Sequence, residues 1–329
     1  GTGDRVAAQV NTGKVNQTYS WSVTKPFYTP EGITLGYDIY RRDVNTSSLN
    51  LVTYNTSSFG AGVRFTIPLS EKNSMSYGLM LDNTEVSNLE LNRSPTRYIN
   101  YCSSVTNTAN STGCTMNSLT ASIGWAIDSR DDILFPRKGE LRRANAEVST
   151  PGLDIQIYKV TLQESWYKDI TKDLTVMLNG QLGYANSYGG KEFPFFKNFY
   201  LGGVNTVRGY RQGSIGPVCV QGDASCGLST STTNMFVGGN KQILANAELF
   251  MPVPFLKNNN QFRLSAFIDA GNVYGHEESL NLSTLRYSAG MGFMWVSPFG
   301  LLKILYARPF NNQSTDRTES FQFQMGQQF

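Results

Sequence analysis

Phe321-Gln322-Phe323-Gln324-Met325-Gly326-Gln327-Gln328-Phe329 is the most informative stretch of the sequence, because apolar and polar residues alternate through it almost without a break. Successive side chains of a strand point to opposite faces, so such a run has one apolar face and one amide face. A strand with those faces suits the wall of a transmembrane barrel, with lipid outside and water inside. The same period of two recurs in Tyr19, Trp21 and Val23 against Ser20, Ser22 and Thr24. It recurs again in Phe59, Ala61, Val63, Phe65 and Ile67 against Gly60, Gly62, Arg64 and Thr66.

Working outward, similar segments run through Leu119 to Asp128, Leu174 to Tyr184, Lys241 to Met251, Phe262 to Tyr274, Tyr287 to Val296 and Leu301 to Arg308. Weaker ones lie near 5–12, 33–42, 75–86, 140–149 and 156–166, which predicts about fourteen strands. Helical periodicity is absent throughout, so no helix is expected. Short turns (26–32, 68–73, 169–173, 252–259, 298–300) alternate with longer polar loops (43–57, 87–117, 187–240, 275–284, 309–318), the asymmetry of an outer-membrane barrel. Trp166-Tyr167 and Trp295 fall near strand ends, where interfacial aromatic girdles belong. A soluble sandwich would need a shared core, whereas nearly every apolar face here is backed by a Gly, Ser, Thr, Gln or Arg face.

Composition agrees. Of 329 residues only 16% are charged, against roughly 25% in soluble domains, while Gly (31), Tyr (17) and Phe (19) are abundant. No stretch approaches the ~18 apolar residues of a membrane helix. A mean hydropathy of −0.29 is no objection, because barrel strands expose only alternate residues to lipid. The 28 Lys and Arg are scattered and the net charge is +3, so no nucleic-acid partner is expected.

Four cysteines lie in polar stretches as two close pairs, Cys102 with Cys114 and Cys219 with Cys226. Their spacing matches neither a zinc site nor a redox CxxC motif. Short separation favours local closure, so two disulfides, each within one external loop, are predicted. Asp128, Asp131 and Asp132 have the residue type of a metal site, but their setting before Phe135-Pro136 reads as a polar turn. The sole histidine, His276, precedes Glu277-Glu278 at a loop tip with no nucleophile elbow elsewhere, so no enzyme is predicted. Neither a metal nor a cofactor is expected.

The loop 187–240 is long, and its Arg208 is matched by two carboxylates on polar strand faces, Glu248 and Asp269, which alternation points into the lumen. A guanidinium reaching both would anchor the loop by charge-assisted hydrogen bonds. Two carboxylates lining a wet pore are the other reading of the same residues. Gly290 and Gly292 mark close packing against the inserted loop or a strand bend.

The run from Lys191 to Tyr210, containing Asn198-Phe199-Tyr200-Leu201-Gly202-Gly203 and ending Val207-Arg208-Gly209-Tyr210, closely resembles the long external loop of the BamA family of outer-membrane barrels. The family motif is Val-Arg-Gly-Phe, and Tyr210 keeps the ring. The similarity extends to Asn246-Ala247-Glu248-Leu249-Phe250, to Phe267-Ile268-Asp269-Ala270-Gly271-Asn272-Val273-Tyr274, to Trp295-Val296-Ser297-Pro298-Phe299-Gly300-Leu301 and to Gln322-Phe323.

This resemblance implies a C-terminal barrel domain over 1–329, lacking the first two of the family's sixteen strands and its periplasmic POTRA domains. Residues 4–12 then lie opposite Gln322 to Phe329 across an altered seam. It implies the loop anchored by Arg208 on Glu248 and Asp269, and Phe329 as a C-terminal assembly signal. It further implies folding and insertion of nascent outer-membrane β-barrel proteins, with accessory lipoproteins and the lipid bilayer as partners and no nucleotide. A related translocation barrel, of the TamA or two-partner secretion type, and a passive porin are the alternatives.

Overall fold

In a computed structural model, residues 3–13, 16–45, 54–91, 94–220, 222, 226, 234–254, 261–297 and 300–326 are described. The strands are β1 (Arg5–Thr12), β2 (Asn16–Lys25), β3 (Thr34–Asn45), β4 (Asn55–Ser70), β5 (Asn73–Ser87), β6 (Cys114–Asp128), β7 (Gly139–Ser149) and β8 (Ile157–Asp169). They continue as β9 (Thr175–Ser187), β10 (Val218–Cys219), β11 (Met235–Phe236), β12 (Lys241–Met251), β13 (Phe262–Tyr274), β14 (Arg286–Ser297), β15 (Gly300–Phe310) and β16 (Phe321–Met325). All but β10 and β11 form one 14-stranded sheet whose spatial order follows the sequence, and those two pair with each other inside the long loop. Every neighbouring pair is antiparallel, as hairpin connections allow without crossovers.

The C-terminal stretch behaves as its alternation requires. Phe321, Phe323 and Met325 are 63%, 55% and 61% exposed, while Gln322 between them is 4% exposed. Trp21, Ile39, Leu79, Leu162 and Leu182 continue the outward apolar band on other strands. No helix among the described residues is long and apolar enough to cross a membrane.

The sheet curls round a central space. Asn11, Val44 and Thr56 from its first strands and Phe321 to Gly326 from its last line one cavity of about 1020 Å³. Among the described residues β1 pairs only with β2 and β16 only with β15, so residues 4–12 and the last strand border the same opening without a ladder between them.

The expected absence of helix is corrected: Thr96–Thr106 forms α1 in the loop between β5 and β6. It ends on Asn107 at φ 53, a left-handed conformation asparagine tolerates. Tyr98, Ile99, Tyr101 and Cys102 are buried under loop residues, Phe195 stacking on Tyr98 at 3.8 Å between ring centroids. Cys102 is bonded to Cys114 and Cys219 to Cys226, at Cα separations of 5.2 and 5.7 Å. The Thr96 amide donates to the Cys226 carbonyl at 2.9 Å, so the two disulfide-closed segments join in one cap over the loop end of the barrel.

Candidate functional site: a loop latched inside the barrel

The loop between β9 and β12 turns back into the lumen. Its ends are held together by paired Phe199 and Gly239 backbones, at 2.7 and 3.1 Å. Leu201, Val207, Tyr210 and Ile215 then pack with Leu244 and Val273 of the wall as a dry cluster. Gly271 leaves the room this needs, because a Cβ there would stand 2.8 Å from Val207 Cγ2.

Arg208 lies at the centre and is 6% exposed. Its backbone N–H and its Nε donate to Asp269 Oδ2 at 3.0 and 2.8 Å, and Nη2 donates to Oδ1 at 2.6 Å. The remaining nitrogen, Nη1, donates to Glu248 Oε2 at 2.8 Å. The guanidinium also covers the face of Phe267, 3.5 Å from the ring centroid, so charge and π-face both favour the cation. β12 and β13 are neighbours with Asn246 opposite Asp269 and Glu248 opposite Phe267, which sets the two carboxylates diagonally on one face.

Several contributors were not legible in the sequence. Asn246 donates to Asp269 Oδ1 and to the Thr206 carbonyl, both at 2.8 Å. It accepts from Asn179 at 2.8 Å, which accepts from Ser165 at 2.8 Å, so a polar ladder crosses four strands to the ion cluster. Gln322 joins the motif to the last strand: Gly209 N–H donates to its Oε1 at 3.0 Å, and its Nε2 donates to the Tyr210 carbonyl at 2.8 Å. Backbone bonds from Glu319 to Gly209 and from Arg211 to Arg317 extend the join. The Tyr210 hydroxyl, absent from a Phe, lies 3.0 Å from the Phe310 carbonyl. Gly209 holds φ +85 close against Ala307, a conformation that favours glycine.

Gly290 makes room for Phe267 rather than for the loop itself, since a Cβ would meet that ring at 2.7 Å and would also press on the Tyr306 carbonyl. Nearer the loop end, Arg286 forms a buried two-pronged pair with Asp316, at 3.0 and 3.1 Å. The turn aspartates serve the backbone: Asp132 accepts from the amides of Leu134 and Phe135, and Asp131 from those of Arg137 and Lys138. Among the described residues no three His, Cys, Asp or Glu side chains come together as metal ligands. His276 is exposed and its ring lies beside the Asn240 amide, at 3.2 Å. In the cap, burial pushes the hydroxyls of Tyr98 and Tyr101 above their ordinary range, and burial raises the Glu192 carboxyl against the opposing pull of Arg97. Phe329 lies outside the described residues.

A profile of the Omp85 superfamily domain matches residues 1–329. The chain belongs to the Omp85 superfamily. The outer membrane protein assembly factor BamA of Neisseria meningitidis serogroup B is 33% identical over 357 aligned residues, covering 100% of this chain and 44% of that protein. The human sorting and assembly machinery component 50 homolog is 28% identical over 65% of this chain and 46% of its own length. The crystal structure of Haemophilus ducreyi BamA lacking POTRA domains 1-3 superimposes with a TM-score of 0.87 at 27% identity, covering 98% of this chain and 64% of that one. CdiB from Acinetobacter baumannii shares the fold alone, with a TM-score of 0.53 at 12% identity over 96% of this chain and 51% of that one. This Omp85 barrel therefore resides in a bacterial outer membrane, and it spans less than half the length of the relatives whose sequences it matches.

Proposed function

We propose that this Omp85 barrel, as the C-terminal membrane domain of an assembly factor, folds and inserts nascent outer-membrane β-barrel proteins. The observation that carries the reading is the join between the latched loop and the last strand, made by Gln322 with Gly209 and Tyr210. It ties the state of the Arg208 cluster to β16, whose edge away from β15 pairs with no strand among the described residues and offers its N–H and C=O groups to an incoming strand. The opening beside β16 leads from that edge into the lumen. Insertion this way needs no covalent step and no nucleotide. Among the described residues β16 presents three outward apolar side chains, a short apolar face beside which bilayer thinning lowers the cost of inserting a strand.

Partners on this reading are nascent β-barrel proteins, accessory assembly lipoproteins and the bilayer. A passive porin is disfavoured because Leu201, Val207, Tyr210 and Ile215 pack against the wall inside the lumen and narrow the space that a porin keeps open. A translocation barrel shares the architecture, but CdiB shares it at 12% identity, whereas the assembly factor BamA of Neisseria reaches 33% over the whole chain. The test is reconstitution of the full-length protein in vesicles with an unfolded barrel client. Faster client folding than in empty vesicles is expected, and solute flux without such acceleration overturns the proposal.

A further inference from the structure

The ion cluster holds one cation between two carboxylates, and neither its charge nor its hydrogen bonding is complete. Glu248 is 7% exposed and only its Oε2 meets Arg208; its Oε1 is buried and accepts no hydrogen bond among the described residues. Lys303 of β15 lines the same cavity of about 200 Å³ as Arg208, Glu248 and Tyr167. The charges acting on it are Glu248, which attracts it, and Arg208, which repels it. Among the described residues Lys303 forms no ion pair within 4.0 Å. On the neighbouring strand it stands directly opposite Gln324, whose Oε1 is likewise buried without a hydrogen bond.

Lys303 thus shares a cavity with one acceptor that lacks a donor, in the latch, and stands opposite another on β16. We propose that Lys303 is a positioning residue that takes over Glu248 when Arg208 withdraws, so that the loop can leave the lumen without stranding a buried carboxylate. The physical need is plain: removing one partner of a buried ion pair leaves an uncompensated charge, and that penalty opposes release. Lys303 lowers it, because it lines the same cavity as Glu248 and stays tethered to the barrel wall. With the loop in place the same ammonium repels Arg208. Both effects favour release, so Lys303 sets how readily the latch opens. The role rests on the proposed assembly function only in its purpose.

The experiment measures hydrogen exchange at the Arg208 and Gly209 amides in the full-length protein in lipid nanodiscs. Those amides are bonded to Asp269 and Gln322 and exchange when the loop lifts. No client is present, so this result stands apart from any assembly assay. Lys303→Met should slow exchange by roughly fivefold or more, the lower end of ordinary coupling between sites. Lys303→Arg should restore the rate, and in a Glu248→Gln background Lys303→Met should slow exchange much less, because only the repulsion of Arg208 is then lost. A lysine that merely fills space gives unchanged or faster exchange on substitution, and either result overturns the proposal. So does slowing of the same size in the Glu248→Gln background. If Lys303→Met yields no folded barrel, Lys303→Gln supplies the same comparison.

Discussion

Arg208 meets Asp269 through its backbone amide and two guanidinium nitrogens, at 3.0, 2.8 and 2.6 Å, whereas it meets Glu248 through one nitrogen at 2.8 Å. The two carboxylates are therefore unequal partners. Asp269 fixes both the main chain and the side chain of the motif, and Glu248 completes the charge.

Asp269→Ala is accordingly expected to cost more than Glu248→Gln. Loss of one partner of a buried pair costs about 3–5 kcal/mol, and Asp269 also satisfies a backbone donor. Asp269→Lys should be worse again, because two cations would then share the dry cluster. Arg208→Ala should leave the two carboxylates facing each other, releasing the loop while the barrel still inserts. Thermal midpoints of the folded barrel in detergent give the ranking; equal midpoints for Asp269→Ala and Glu248→Gln contradict it.

In the cap, replacing Cys102 and Cys114 with serine should free α1 from β6. A disulfide closing a loop of this size is worth ~3 kcal/mol. Limited proteolysis should then cut within 88–113 at least tenfold faster, while the strands stay protected. Unchanged cutting would mean that the aromatic packing of Tyr98 and Phe195 holds the cap without the bond.

Alkali should open the same cap. Tyr98 and Tyr101 have hydroxyls raised above the ordinary value of 10.0, burial being the first cause in each. A folded-state value above the unfolded one gives stability that is fully present below pH 10 and is lost as pH rises beyond it. Protease sensitivity of the cap should therefore rise above pH 10 and hold flat between 7 and 9. A transition below 9 would assign the change to another group.

The fold was largely legible because a half-buried strand writes its two faces into alternate residues, as Phe321 to Met325 shows. Arg208, Glu248 and Asp269 were legible for a related reason: alternation fixed the carboxylates inward, and resemblance to the BamA family supplied the cation. α1 was not legible. Its inward residues Tyr98, Tyr101, Cys102 and Val105 do fall at i, i+3, i+4 and i+7, but the stripe is only two turns long, lies among polar loop residues and begins at Pro95 without a side-chain cap, so packing under Phe195 and the Cys102 bond hold it rather than propensity. Nor was Asn246, since an asparagine among lumen residues looks like any wet wall residue until its partner's backbone arrives. Lys303 was hidden in the same way, its meaning depending on which oxygens of Glu248 and Gln324 lack donors.

Gln322 gives the sharpest test of coupling between loop and last strand. Its amide is buried and engaged at both ends, accepting from Gly209 through Oε1 and donating to the Tyr210 carbonyl through Nε2, a pair 112 positions apart in the chain. Gln322→Leu keeps the approximate volume but strands one donor and one acceptor of the motif, at a cost of about 1–3 kcal/mol for each buried group left unpaired. Gln322→Glu keeps the acceptor for Gly209 and sets a carboxylate against the Tyr210 carbonyl, so it should be the more damaging where the site stays dry. Both variants retain the outward Phe321 and Phe323, so the barrel should still enter the membrane. What should change is the coupling: exchange at the amides of β16 should become independent of Arg208→Ala, which in the unaltered protein should speed it. If Arg208→Ala speeds β16 exchange equally with and without Gln322→Leu, the loop reaches the last strand by another route, and the backbone bonds at Glu319 and Arg211 become the ones to test.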